Sequence, residues 1–216
     1  MQVTTQNITV PKLRFKFEGE FYLTNFGDIY DFISTNSLSR DKLNYENGRV
    51  KNIHYGDIHT KFSSVFELEK ENVPFINKDV SLTKYKDSNY CKEGDLIIAD
   101  AAEDYEGIGK LIEIKSLNDE FTLAGLHTIH ARPKLKNIYV GFGAYLMQSW
   151  SIKYQIMMIA QGTKVLGISS KRLAKIKLHL PTLPEQEKIA SFLSAVDERI
   201  QKLERKKSLL AAYKKG

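Results

Sequence analysis

Residues 182–213 read TLPEQEKIASFLSAVDERIQKLERKKSLLAAY, and after Pro184 neither glycine nor proline interrupts them. Thr182, Pro184 and Glu185 make a helix-start signature: a threonine cap, a proline in the first turn, and a glutamate spaced to reach back to the cap. Ile189, Leu193, Val196, Ile200, Leu203, Lys207 and Leu210 then step by 4, 3, 4, 3, 4 and 3. This is a heptad seam broken only by Lys207. A helix lying on its own domain usually carries a wider apolar stripe. About 30 residues at 1.5 Å each span roughly 45 Å, whereas compactness scaling makes a domain of the remaining residues about 30–40 Å across. The seam predicts a projecting helix that pairs with a partner helix in an intermolecular coiled coil. Ile189, Leu193, Val196, Ile200, Leu203 and Leu210 would be its interface.

Upstream of Pro181 the pattern changes to a compact α+β domain. Residues 1–10 read as a loose arm, and Pro11 to Phe17 as a basic-aromatic lead-in. Thr24 or Asn25 is placed to cap a short helix through Phe32, and residues 34–48 read as a surface loop. Val50–Ile58 and Asp95–Ala99 have strand composition. Ile108 to Lys115 alternates, with Ile108, Lys110, Ile112 and Ile114 on one face and Gly109, Leu111, Glu113 and Lys115 on the other. Phe121–Ala131 is a strand interrupted at Gly125. Tyr139, Phe142, Leu146, Trp150 and Tyr154 recur at helical steps up to Gly162. Ser169 is placed to cap a short turn that leads into Ile176–Leu180. The expected organisation is an arm and lead-in over 1–20, a globular domain with a mixed sheet and short helices over 21–181, and the long helix over 182–216.

The chain has 216 residues, 42% of them hydrophobic and 27% charged, with a net charge of +6. That balance is ordinary for a globular protein and argues against disorder. No stretch approaches the roughly 20 apolar residues of a membrane span. The N-terminus has no basic cap before an apolar run, and one cysteine, Cys91, excludes an internal disulfide framework. The expected location is cytoplasmic, with no membrane contact. The positive charge permits a nucleic-acid partner.

Several short patterns suggest chemistry. Asp95 or Asp100 followed by Glu113-Ile114-Lys115 fits the loose pattern of a magnesium-dependent nuclease, in which two carboxylates hold the metal and the lysine steadies the attacking water. On an alternating strand Glu113 and Lys115 more often form a solvated face. Asp104 to Lys110 superficially resembles a phosphate loop, but it lacks the first glycine and the hydroxyl residue after the lysine. His54 and His59, like His127 and His130, are odd numbers of residues apart. On a strand each pair would point to opposite faces, so no metal site is expected. There is no adenine-methylase Asn-Pro-Pro-aromatic motif and no glycine-rich cofactor loop.

DNA contact has better candidates. Arg49, Lys51, His54, Tyr55, His59 and Lys61 form one basic cluster. Thr163, Lys164, Ser169, Ser170, Lys171 and Arg172 form another, beside a helix start suited to a phosphate.

The junction between domain and helix also carries a family likeness. Gly167-Ile168-Ser169, Leu173 through Pro181, Leu183 through Ala190, and Leu193, Asp197 and Ile200 resemble specificity subunits of type I restriction–modification systems. Weaker likenesses in the same order are Tyr55-Gly56-Asp57-Ile58, Gly94 through Ala99, Gly109-Lys110, Ala160 through Thr163, and Pro11 through Phe15. The resemblance implies a target-recognition domain followed by a conserved spacer helix. It implies a non-catalytic subunit that reads one half of a bipartite site in double-stranded DNA and docks methyltransferase subunits, with a restriction subunit joining them. The chain itself would hold no cofactor, because S-adenosylmethionine would be bound by the partners. Full subunits of the family hold two such domains and two helices packed antiparallel, so this chain has the expected content of a half-subunit working as a homodimer. The competing readings are a stand-alone nuclease using Asp95 or Asp100, Glu113 and Lys115, and a coiled-coil adaptor that binds only protein.

Overall fold

The computed structural model describes residues 14–134 and 137–214. The arm over residues 1–10 and the start of the lead-in, Pro11 to Leu13, lie outside the described residues. Six α-helices are described: α1 (Phe26–Ile29), α2 (Tyr55–Thr60), α3 (Phe142–Gln148), α4 (Trp150–Ile159), α5 (Ser170–Leu173) and α6 (Leu183–Tyr213).

The centre is a five-stranded sheet in the order Tyr30–Ile33, Thr128–Pro133, Leu96–Ala99, Leu111–Ser116, Val65–Glu67. Its pairs are antiparallel except the last, which is parallel. Leu96-Ile97-Ile98-Ala99 is a continuous apolar run because both faces of this sheet are covered. Leu96, Ile98 and Leu111 pack under α1, α3, α4 and the start of α6. Ile97, Ala99, Ile112 and Ile114 pack on the other side against Ile53, Ile58 and Phe66. A second sheet, ordered Thr122–Ala124, Lys51–Ile53, Phe75–Ile76, Leu43–Asn44, stands beside that second core. Two short ribbons complete the fold: Tyr22–Asn25 with Lys177–Leu180, and Ala101–Ala102 with Leu166–Gly167.

Several local expectations change. The helix after Asn25 stops at Ile29, since Tyr30–Ile33 joins the edge of the central sheet. Residues 50–58 divide into the strand Lys51–Ile53 and helix α2, capped by His54, whose Nδ1 accepts the Gly56 N–H at 3.1 Å. The helical pattern from 137 to 160 breaks at Ser149 into α3 and α4. The buried face there is Phe142, Ala144, Met147, Ile152 and Ile156, while Trp150 is 73% exposed. At Gly162, φ is +129° and an added Cβ would sit 1.9 Å from the Val165 carbonyl, so this turn admits only glycine.

Helix α6 runs 31 residues. Thr182 supplies its cap backbone, but Glu185 does not close a capping box. Its buried carboxylate instead takes Arg14, with Nε–Oε1 and Nη2–Oε2 both at 2.6 Å. Gln186, also buried, donates to the carbonyls of Asn137 and Pro181 at 3.0 Å and accepts the Tyr139 N–H at 2.9 Å. Tyr145 donates to Asp197 at 2.7 Å, the last side-chain bond from α3 to this helix. Beyond Ser194 every described residue of α6 is exposed, including Val196, Ile200, Leu203 and Leu210. Among the described residues no helix is long and apolar enough to cross a membrane.

Candidate nucleic-acid interface

The first turn of α2 buries Asp57, and two cations converge on it. Arg40 Nη1 lies 2.7 Å from Oδ2 and Nη2 3.1 Å from Oδ1, and Lys61 Nζ lies 2.8 Å from Oδ1. Burial works to raise the Asp57 pKa, but the bonds from Arg40 and Lys61 outweigh it and hold the carboxyl below its usual value. One negative charge thus fixes two positive ones, and the group presents a net positive surface. Lys61 also donates to the Tyr45 hydroxyl at 3.0 Å and lies 5.3 Å over that ring. Burial first, and the Arg40 charge second, lower the His54 pKa, which suits its role as a neutral acceptor at the helix cap.

Tyr55 and His59 share one face because this segment is a helix. A strand would have separated the histidines. The Tyr55 ring lies 4.7 Å from His54, 5.3 Å from His127 and 6.2 Å from His59. His127 has a left-handed backbone, φ 54°, and its Nδ1 lies 3.4 Å from Asp100. His59 Nε2 donates to the Ala101 carbonyl at 2.9 Å.

That contact links the two clusters. The Ala101–Ala102 strand touched by His59 pairs on its other side with Leu166–Gly167, and the Ile168 N–H donates to the Asp100 carbonyl. Thr163 and Lys164 precede this ribbon and Ser169, Ser170, Lys171 and Arg172 follow it. Thr163, Lys164, Ser169, Lys171 and Arg172 are exposed, and Ser170 is half-buried. Arg172 donates to the Ile159 carbonyl at 3.1 Å. His54, Tyr55, His59 and Lys61 therefore lie on one side of a short ribbon and the second cluster on the other.

Arg49 and Lys51 do not join this group. Lys51 sits at the opposite end of its strand, 3.2 Å from Glu120 and 5.1 Å over the Phe75 ring. Arg49 borders a hollow with Lys78, Val80 and Leu82. Conversely, Arg40, Tyr45 and His127 belong to the assembled surface and were absent from the sequence clusters. Arg40 and Tyr45 fall in a stretch that reads only as loop, and nothing periodic connects Arg40 to Asp57.

The nuclease constellation is not assembled. Asp95 is fully buried, with His130 Nε2 at 2.6 Å and Arg132 on both oxygens at 2.9 and 2.7 Å. Glu113 is buried under α3 rather than on a solvated face, and it accepts the backbone N–H groups of Gly141 at 2.8 Å and Ala144 at 2.7 Å. Lys115 turns away to Glu67 at 3.1 Å, and Asp100 faces His127. Among the described residues no group of three histidine, cysteine or acidic side chains converges as a metal site would.

Comparison with known proteins bears on the family and the fold. The chain is 27% identical over 184 residues to a putative type I restriction enzyme MjaX specificity subunit of Methanocaldococcus jannaschii, a match covering 84% of this chain and 40% of that protein. The fold is similar to the crystal structure of the S subunit of a type I restriction–modification system from M. genitalium, with a TM-score of 0.61 and 16% identity over 91% of this chain and 44% of that one. It is also similar to the HsdS subunit from Thermoanaerobacter tengcongensis, with a TM-score of 0.54 and 15% identity over 91% and 41% of the two chains. The chain spans less than half the length of each of these relatives. Residues 20–211 match the family described as the type I restriction modification DNA specificity domain, and the chain belongs to that family.

Proposed function

We propose that this chain is the DNA-reading half of a type I specificity subunit. The globular domain reads a short half-site in double-stranded DNA. His54, Tyr55, His59 and Lys61, with Arg40, Tyr45 and His127, form one part of the reading surface, and Thr163, Lys164, Ser169, Ser170, Lys171 and Arg172 the other. Arg49 and Lys51 supply at most outlying phosphate contacts. The chain is not itself an enzyme. Methyltransferase subunits that bind S-adenosylmethionine dock on it and a restriction subunit joins them.

The observation that carries the DNA-reading role is the family match over residues 20–211, and the exposed seam of α6 supports the pairing. Val196, Ile200, Leu203 and Leu210 leave the domain with no partner helix among the described residues, and a two-in-seven apolar seam is poorly stable in water unless paired. Charge favours antiparallel pairing with a second copy. Among the described residues, 183–198 carry Glu185, Glu187, Asp197 and Glu198 against Lys188, whereas 199–214 carry Arg199, Lys202, Arg205, Lys206, Lys207 and Lys214 against Glu204. Parallel pairing would bring the two basic halves together. A closed two-fold dimer presents two identical domains, so the half-sites are inverted repeats. A helix of about 46 Å corresponds to roughly 13 base pairs, which puts the half-sites about one helical turn apart.

Methylation-site sequencing in cells carrying this chain as the only specificity subunit tests the reading. The expected motif is an interrupted palindrome. A non-palindromic motif overturns the homodimer, and the absence of any sequence-dependent methylation overturns the DNA-reading role.

A further inference from the structure

Lys110 and Lys153 are held together in a way that the reading surface above does not use. Lys153 Nζ donates to the carbonyls of Glu106 and Ile108, both at 2.7 Å, and Lys110 Nζ donates to the His59 carbonyl at 3.0 Å. Among the described residues neither ammonium lies within 4.0 Å of a carboxylate. Each ammonium has three donors, so Lys153 keeps one free and Lys110 two. Both border a groove of about 430 Å³ shared with His59 and Lys61, in which Glu106 is the only acidic residue among the described residues.

The backbone fixes this arrangement. Gly109 has φ +72°, and an added Cβ would come 2.7 Å from Cγ2 of Ile156, so the loop lies close on α4 and places Lys110 on the same groove as Lys153. The Lys153 ammonium is half-buried. Burial lowers its pKa first and the Lys110 charge second, with Asp104 and Glu106 working the other way. A half-buried ammonium and an exposed one on the same groove gain from an anion between them.

We propose that Lys110 and Lys153 form a phosphate clamp that grips the backbone of duplex DNA alongside the reading surface. The proposal rests on the DNA-reading function and adds an anchor outside both basic clusters. The groove is continuous with His59 and Lys61, which ties it to the same face of the domain. Two ammonium groups set along an open groove suit a repeating polyanion, and phosphate contacts position a protein without reading sequence.

Duplex binding by the full chain, assembled with its methyltransferase subunits, provides the test. For Lys110→Gln the slope of log affinity against log salt should fall by about one unit, and for Lys110→Gln with Lys153→Gln by about two. The loss should be equal on specific and scrambled duplexes. Lys110→Gln disturbs only one exposed hydrogen bond, and an unchanged melting temperature verifies that the domain is folded. Unchanged slope and affinity in folded Lys110→Gln, with wild-type binding intact, overturns the clamp and leaves the DNA-reading function standing. A wild-type complex that binds no duplex at low salt overturns both. Calorimetric titration with inorganic phosphate and with ATP separates the sources of phosphate. Saturable binding of either that disappears in Lys110→Gln would assign the groove to a soluble anion and overturn the assignment to DNA.

Discussion

Glu113 on the central sheet caps helix α3 from below: its Oε2 accepts the Ala144 N–H at 2.7 Å and its Oε1 the Gly141 N–H at 2.8 Å. Because α3 also bonds α6 through Tyr145 and Asp197, this carboxylate sits under the base of the projecting helix. Burial pushes its pKa up to about 7, against the opposing pull of the Ala144, Gly141 and Gly143 N–H groups. The folded state therefore holds a proton that the unfolded chain, with a carboxyl near its ordinary 4.5, has already released. Stability contributed by this group is full below that unfolded value and is lost as pH rises to about 7. The loss amounts to about 3 kcal/mol at 1.36 kcal/mol per pKa unit. Chemical denaturation at a series of pH values should show this fall. In Glu113→Gln the fall should largely disappear, although the amide cannot accept at both positions and the variant starts from a lower level. An identical pH profile in the variant would remove Glu113 as the cause.

Asp57 holds Arg40 and Lys61 in place, so Asp57→Ala should act on structure and recognition together. Both cations are half-exposed and can turn to water, which limits the destabilisation to about 2 kcal/mol. With Arg40 and Lys61 no longer fixed, the ratio of specific to non-specific DNA affinity should drop roughly tenfold, as for the loss of one good base contact. Competition binding against scrambled duplex measures that ratio.

The seam residues Ile200 and Leu203 are 47% and 58% exposed in a single copy. Ile200→Asp should leave the melting of the globular domain unchanged and raise the dimer dissociation constant at least about 100-fold, since a charge would be buried in an apolar layer. Sedimentation equilibrium at tens of micromolar decides this. A monomeric wild-type chain would remove the dimer altogether.

Deleting Leu203 to Leu209 removes one heptad together with Lys207 and puts Leu210 in the place of Leu203, so the seam stays apolar and in phase. The helix shortens by about 10 Å, so the DNA spacer in the methylated motif should shrink by about three base pairs at 3.4 Å each. The domains also rotate relative to the DNA helix, so the alternative outcome under this reading is loss of methylation. Methylation at the original spacing would refute the helix as a ruler.

The sequence by itself determined the features that repeat over short distances. The heptad seam and Pro184 marked α6, and Gly162 marked the end of α4. The alternation read over Ile108 to Lys115 holds from Leu111, where the strand Leu111–Ser116 begins, because side chains on a strand alternate whatever lies above them; Ile108 and Gly109 lie in a turn. The family likeness was legible too, carried by the junction from Gly167 to Ile200. What covers each face is a matter of distant chain, and there only the tertiary structure decided. Glu113 looks solvated until α3, some 30 residues away, closes over it. Glu185 fits a capping box until Arg14, 171 residues earlier, takes its carboxylate. Val50 to Ile58 has strand composition, yet from Tyr55 the chain winds into α2, where His54 caps the first turn and Ile58 and Asp57 are buried. Arg40 and Asp57, or His127 and Tyr55, meet only because strands far apart in sequence lie side by side. Periodicity is a local property of the backbone, whereas burial and ion pairing belong to the assembled domain, so the helix was legible and the candidate recognition surface was not.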